Sequence, residues 1–305
     1  MQKTFIPVRR HVSNACFPTI LLTRLPILHN SLKKTAIFMN REPMSTNGAA
    51  SSKANSADIL ARSKNPLLAD WSDVGKIIPP VGMLDFDRNA VNSFYRDSGK
   101  FVIAGCCPRP FERMQFIRTT VNTYIDLMDR PLEFALLLDR IHAFYLEEFE
   151  LWAKTDVDGL MFMDDWGTQQ SLLIAPELWR ELFKPLYRDY IAIAHDHGKY
   201  CFMHSDGFIT DIIPDLIELG LDALNSQLFC MGVENLGRRF RGDITFWGEI
   251  DRQHLLPYAS IDEIANAVQI VRESLYDNGG VIAQSEFGSG AQPENVFAVF
   301  DTWMK

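Results

Sequence analysis

Short apolar runs alternate with longer amphipathic stretches along most of this chain. The runs fall at residues 100–105, 158–164, 200–203, 222–226, 244–248 and 281–284. They are apolar on both faces and bounded by glycine, the pattern of parallel strands covered by helices. Helical spacing follows over residues 110–128, 131–154, 176–197, 209–219, 233–239, 261–276 and onward from Pro293. In the second of these, Phe134, Leu137, Leu138, Ile141 and Tyr145 share one face. Pro176 and Gly198 mark the start and stop of the third. Strand–helix–strand crossovers are right-handed, so these six units wind one way. Two architectures satisfy them, an open doubly wound sheet and a TIM (β/α)8-type barrel.

Polar residues collect where each run ends: Asp164-Asp165-Trp166, His204-Ser205-Asp206, Asn225-Ser226-Gln227, Gly248-Glu249-Ile250-Asp251 and Gln284-Ser285-Glu286. In a barrel these ends meet over one mouth, where active sites are built. The clusters therefore favour the α/β barrel over the open sheet. Six units are two short of eight. Residues 60–98 carry Pro79-Pro80 and a short helical stretch at 87–95. Either they replace the first two strands or the barrel lacks them.

The strand-end residues define the candidate chemistry. His204 and Asp206, with Glu286 as a third donor, suit a divalent metal such as zinc with an open position for substrate. The alternatives are a metal-free catalytic role, or a turn in which Asp206 caps the next helix and His204 is a hydrogen-bonded lining residue. Asp164 and Asp165 are neighbours at a strand end, so only one faces the mouth, as acid/base or as partner for a cation or N–H group. Trp166 is placed to stack on a planar substrate or to pack in the core. Arg109 and Arg113 follow the first clear strand and suit carboxylate or phosphate groups. Asn225, Gln227 and Glu249 complete the set of candidate substrate contacts.

The order DGLMFMDDWG, HSDG, GLDALN, FWGEID and GGVIAQSEFGSGAQPENV resembles the uroporphyrinogen decarboxylase superfamily. The resemblance runs from about Phe101 to Trp303 and implies a TIM barrel. Asp164-Asp165-Trp166-Gly167 is similar to the family's Asp-x-Trp segment, which makes Asp164 the expected catalytic carboxylate. Trp247-Gly248-Glu249-Ile250-Asp251 is similar to its Gly-Asn-Leu-Asp turn. One branch of the family decarboxylates a porphyrinogen, without cofactor, in tetrapyrrole synthesis. The other transfers methyl groups to or from a corrinoid protein, commonly with zinc on His-x-Cys and a later Cys. His204-x-Asp206 falls on the His-x-Cys position, and Ser285 or Glu286 falls near the later Cys. The resemblance implies methyl transfer from a methylated small molecule, with a corrinoid on a partner protein and a zinc that oxygen ligands, in place of thiolates, would make a harder Lewis acid. Decarboxylation of a tetrapyrrole substrate is the alternative. A non-catalytic or truncated barrel is the second.

Composition changes the picture at one end. Every basic residue before Glu42 precedes the first acid, which resembles a transit peptide; the other reading is a start placed too early, with Met39 or Met44 as the true one. Residues 45–56 form a small-polar linker. Residues 1–57 are thus expected to be a disordered or transit-like leader, and residues 58–305 the barrel domain. The apolar run at 15–28 is interrupted by Pro18, Arg24 and Pro26, so no membrane span is expected. The net charge of -9 argues against a nucleic-acid partner, and five cysteines without a framework fit a reducing, cytoplasmic compartment.

Overall fold

The computed structural model describes residues 36–40, 66–105, 108–285, 288 and 290–305 of the 305-residue chain. Seven parallel strands stand side by side in chain order: β1 (Ala36–Asn40), β2 (Phe101–Gly105), β3 (Gly159–Met163), β4 (Tyr200–Ser205), β5 (Ala223–Ser226), β6 (Thr245–Glu249) and β7 (Val281–Gln284). Sequential parallel order with helical crossovers is the topology of a (β/α) barrel. Among the described residues no pairing joins β7 back to β1, so the barrel is open.

The six strands expected from the apolar runs are β2 to β7. The seventh, β1, pairs with β2 in register from Ala36↔Phe101 to Asn40↔Gly105. It lies inside the stretch read from composition as a leader. The rest of that stretch lies outside the described residues. Residues 66–98, within the segment read either as an irregular replacement for the first two strands or as evidence that the barrel lacks them, give no strand but two 3-10 turns, Trp71–Lys76 and Val81–Leu84, and helix α1 (Arg88–Ser98).

The remaining helices are α2 (Pro110–Arg118), α3 (Thr120–Asp129), α4 (Leu132–Ala153), α5 (Pro176–Leu182), α6 (Lys184–Asp196), α7 (Ile213–Glu218), α8 (Leu228–Met231), α9 (Val233–Phe240), α10 (Leu255–Tyr258), α11 (Ile261–Leu275) and α12 (Pro293–Trp303). Two stretches expected as single helices are broken. The first breaks at Thr119, whose φ of 74° leaves the helical region while its hydroxyl caps the amide of Asn122. The second breaks at Phe183, two residues before Pro185, whose ring cannot continue an unbroken helix. None of the described helices is long and apolar enough to cross a membrane.

Two-residue alternation divides the strands into an outer and an inner set. Val102, Ala104, Leu160, Phe162, Cys201, Met203, Leu224 and Phe246 belong to the large core shared with the helices. Phe101, Ile103, Phe202, Ala223 and Trp247, with Met161, Tyr200 and Ile282 against them, form a separate cluster on the concave face. Both faces are thereby apolar along the strand bodies. The polar residues appear at the C-terminal ends, where the inner set opens on the mouth.

The loops after β3 and β4 cross there in backbone contact. A Cβ on Gly167 would overlap the backbone of Gly207 and Phe208, and one on Gly207 would overlap Gly167. Gly207 also has a φ of 81°. The crossing is closed by hydrogen bonds from Gly167 N to Asp206 O (3.1 Å) and from Phe208 N to Thr168 O (2.7 Å). Gly207→Ala therefore meets both steric overlap and backbone strain, whereas Gly99→Ala, at a φ of 56° with open space around it, meets strain alone. Urea denaturation is expected to show Gly207→Ala losing about 2 kcal/mol or more and Gly99→Ala about 1 kcal/mol. Equal losses would mean that the crossing yields without cost.

Candidate functional site

Strand alternation decides which polar side chains reach the mouth. Counting by twos along the inner set gives Met161, Met163, Asp165 on β3; Phe202, His204, Asp206 on β4; Ala223, Asn225, Gln227 on β5; Trp247, Glu249 on β6; and Ile282, Gln284 on β7. Register places His204 opposite Met163 and Asn225, and Asn225 opposite Trp247. The result is a continuous polar patch across five strands.

At its centre, Nε2 of His204 lies 3.5 Å from Asp165 Oδ1 and 3.8 Å from Asp206 Oδ1. One donor atom from each of the three residues lies within 4.8 Å of the others. Asp165 Oδ1 also accepts from the backbone amide of Asp206 at 2.9 Å, which locks the two loops together. The second oxygen of Asp206 accepts from Arg252 Nη2, whose Nε faces Glu249 at 3.5 Å. On the far side of the imidazole, Nδ1 lies 2.6 Å from Asn225 Oδ1.

Charge shapes this cluster strongly. Burial alone would disfavour the imidazolium of His204, but its hydrogen bond to Asp165 and the charges of Asp206 and Asp165, with Asn225, outweigh it and raise the group to about 10. Burial likewise works against ionised Asp165, yet His204, the Asp206 amide and Arg109 hold it below the usual carboxylate range.

Asp164 and Trp166 have the other parity: Asp164 does not face the mouth as expected, and Trp166 takes the core-packing alternative. The Asp164 carboxylate is fully buried and accepts from Phe111 N (3.0 Å), Glu112 N (2.9 Å) and Tyr187 Oη (2.8 Å). It pins the start of α2 instead of facing the mouth; Asp165 is the carboxylate that does. Trp166 is also fully buried, stacked on Phe111 at 4.2 Å with its Nε1 donating to Tyr187 Oη. It therefore offers no face to a substrate.

Arg113 turns toward α4, where Nε donates to Tyr145 Oη at 3.1 Å. Arg109, half-buried at the start of α2, stays close enough for its charge to act on Asp165 and Glu112. Gln227 Oε1 accepts from Gly207 N (3.2 Å) and Gln169 Nε2 (3.0 Å), so it ties the loops together. Glu249 is buried beside Arg252. Glu286 lies outside the described residues. Asp251 accepts from the amides of Gln253 and His254, a turn-capping role.

Three further residues enter the site. Arg252 neutralises Asp206, and Gln284 Oε1 accepts from Asn225 Nδ2 at 2.7 Å. Glu112 has a buried Oε2 without a hydrogen-bond partner among the described residues, and burial and Asp165 push its carboxyl up against the pull of Arg109, His204 and Arg113. Strand parity could have found Gln284; Arg252 and Glu112 lie on loop and helix, where no periodicity aims a side chain at the mouth.

What the cluster can hold follows from its donors. An imidazole nitrogen and two carboxylate oxygens form an accepted set for zinc or another borderline divalent cation. Metal–ligand bonds of about 2.0–2.1 Å give tetrahedral donor–donor separations of roughly 3.3 Å, close to the two distances at Nε2. The donor types of the three residues fit such an ion, and one donor atom from each lies within 4.8 Å of the others.

Stability should carry the signature of His204. Its folded value of about 10 lies above the ordinary 6.5, so the imidazolium's contacts stabilise the fold fully below about pH 6.5 and are lost as pH rises through about 10. In urea denaturation of metal-free protein, wild type should lose more stability across that window than His204→Gln. Parallel curves would contradict the assigned charge state.

Residues 55–305 match the family model described as Uroporphyrinogen decarboxylase (URO-D). Among solved structures, a methyltransferase from Methanosarcina mazei is similar at 13% identity and a TM-score of 0.58, over 76% of this chain and 68% of that one. A D-psicose 3-epimerase crystallised in the presence of D-fructose is similar at 8% identity and a TM-score of 0.43, over 77% of this chain and 85% of that one. No curated protein sequence matches. The methyltransferase likeness bears on the fold; the family match covers β2 to β7 and every described helix, though not β1, so the chain belongs to the uroporphyrinogen decarboxylase family.

Proposed function

We propose that this protein is a metal-dependent methyltransferase of the family, moving a methyl group from a small methylated molecule to a corrinoid carried by a partner protein. The observation that carries this reading is the convergence of Asp165, His204 and Asp206 at the barrel mouth. Those three residues would hold the metal, which when bound supplies Lewis acidity toward the heteroatom bearing the methyl group. The oxygen-rich donor set makes it a harder acid than a thiolate site, better matched to an oxygen or nitrogen heteroatom than to a thiol. Arg252 takes up the second oxygen of Asp206 and orients its carboxylate. Asp165 and Asp206 offset the charge of the ion, and Glu249 holds Arg252 from the other side.

A cleft of about 200 Å³ adjoins the cluster, lined in part by Gln169, Gln227, Leu228, Phe229 and Arg252. Its charged lining is internally paired, Arg252 with Asp206 and Glu249, and Asp251 with His254. The amides and apolar floor that remain suit an uncharged substrate. The resemblance of the fold to a methyltransferase points the same way.

The test uses purified, zinc-loaded protein, free cob(I)alamin and methanol or methoxybenzene as methyl donors. The expected result is about one zinc per chain and formation of methylcobalamin, seen in the visible spectrum. His204→Ala should lose the zinc and at least about 100-fold in rate. Decarboxylation of uroporphyrinogen by the same preparation, with no methyl transfer, would replace this reading by the family's other chemistry.

A further inference from the structure

The imidazole of His204 has two nitrogens, and only one faces Asp165 and Asp206. Which nitrogen keeps its proton when a cation binds is set by the hydrogen bond on the other side of the ring. Here that bond is to Asn225 Oδ1, at 2.6 Å.

The orientation of the Asn225 amide is fixed by its surroundings. Its Nδ2 lies 2.7 Å from the backbone carbonyl of Trp247 and 2.7 Å from Gln284 Oε1. A backbone carbonyl only accepts, so the NH2 end must be the one that faces Trp247. Rotating the amide by half a turn would set oxygen against oxygen there and nitrogen against the ring. The amide oxygen is thus left facing His204, and it can only accept. Nδ1 of His204 must therefore be the donor, and its proton is retained.

These contacts are built by the strands themselves. His204, Asn225 and Trp247 are consecutive register partners on β4, β5 and β6. Asn225 is buried, so water does not substitute for its partners at no cost. Gln284 comes from β7 and shares its burial.

We propose that Asn225, anchored by the Trp247 carbonyl and Gln284, is a positioning residue that fixes Nδ1 of His204 as the protonated nitrogen and assigns Nε2 to the cation. The inference rests on the metal reading for its function, but the state of the ring can be read without metal. Asn225 touches neither the cation nor a substrate in this scheme. It holds the ring in one rotation and one tautomer, so that binding displaces a proton from Nε2 alone.

The experiment compares wild type with Asn225→Leu, Asn225→Asp and Gln284→Ala in full-length protein, with zinc as the probe. Zinc affinity is measured by competition with a chelating dye, and the His204 ring nitrogens are followed by 15N-edited NMR. Wild type should show Nδ1 protonated and Nε2 shifted on zinc addition. Asn225→Leu should bind zinc about 10–100-fold more weakly, the size expected for loss of a partner behind a histidine ligand. Asn225→Asp, which keeps an acceptor facing Nδ1, should bind more tightly than Asn225→Leu, and Gln284→Ala should fall between wild type and Asn225→Leu. In metal-free protein the Nδ1 proton should exchange slowly in wild type and rapidly in Asn225→Leu.

Equal zinc affinity in wild type and Asn225→Leu would overturn the proposal. So would rapid exchange of the Nδ1 proton in wild type, even if zinc binds. A wild type that binds no zinc but keeps the slowly exchanging Nδ1 proton would instead remove the metal reading and leave the Nδ1–H to Asn225 assignment standing. A variant that fails to fold is set aside in favour of Gln284→Ala, whose change lies one residue further from the ring.

Discussion

The site depends on one steric constraint, the crossing of the loops after β3 and β4 at Gly167 and Gly207. Neither position has room for a side chain, and the two backbones are joined by hydrogen bonds on both sides of the contact. This crossing brings Asp165 within hydrogen-bonding reach of the Asp206 amide. With His204 supplied by β4, an imidazole and two loop carboxylates converge on one point. The loops after β5 and β6 join the same network, through Gln227 to the Gly207 amide and through Arg252 to Asp206, while Asp251 pairs locally with His254.

Strand alternation supplies the second half of the arrangement. The inner and outer residues of each strand are both apolar, so the bodies of the strands are held by packing on either side. The residues that the strands lend to the candidate site are the last inward ones. Asp164 shows the division most clearly: one residue away from Asp165, it binds the amides at the start of α2 and builds the scaffold. Two adjacent carboxylates thus do unrelated work because they point to opposite faces.

Much of this was legible in the sequence. The six apolar runs are β2 to β7, and their polar ends do assemble at one mouth. The central pair, His204 and Asp206, was visible from spacing alone. The choice between Asp164 and Asp165 was not, because apolar residues on both faces conceal which set points inward. The parity of His204 settles it only once β3 and β4 are known to pair Met163 with His204. The break at Thr119 was hidden for a related reason: the apolar pattern continues through it, and only the buried ion pair of Arg118 with Asp126 and the cap at Thr119 reveal the turn. β1 was hidden by its setting, five residues amid a basic and small-polar stretch. Glu112 reaches the site from a helix whose first turn is aimed by Asp164, a contact between residues far apart in sequence.

The central claim is that Asp165, His204 and Asp206 form one metal site through Nε2 of the histidine. Anomalous X-ray diffraction from zinc-soaked crystals at the zinc edge tests it most directly. The account predicts one dominant peak about 2.0–2.2 Å from His204 Nε2 and from one oxygen each of Asp165 and Asp206. A zinc-free cluster in crystals that carry zinc elsewhere, or a peak on Nδ1, would contradict it.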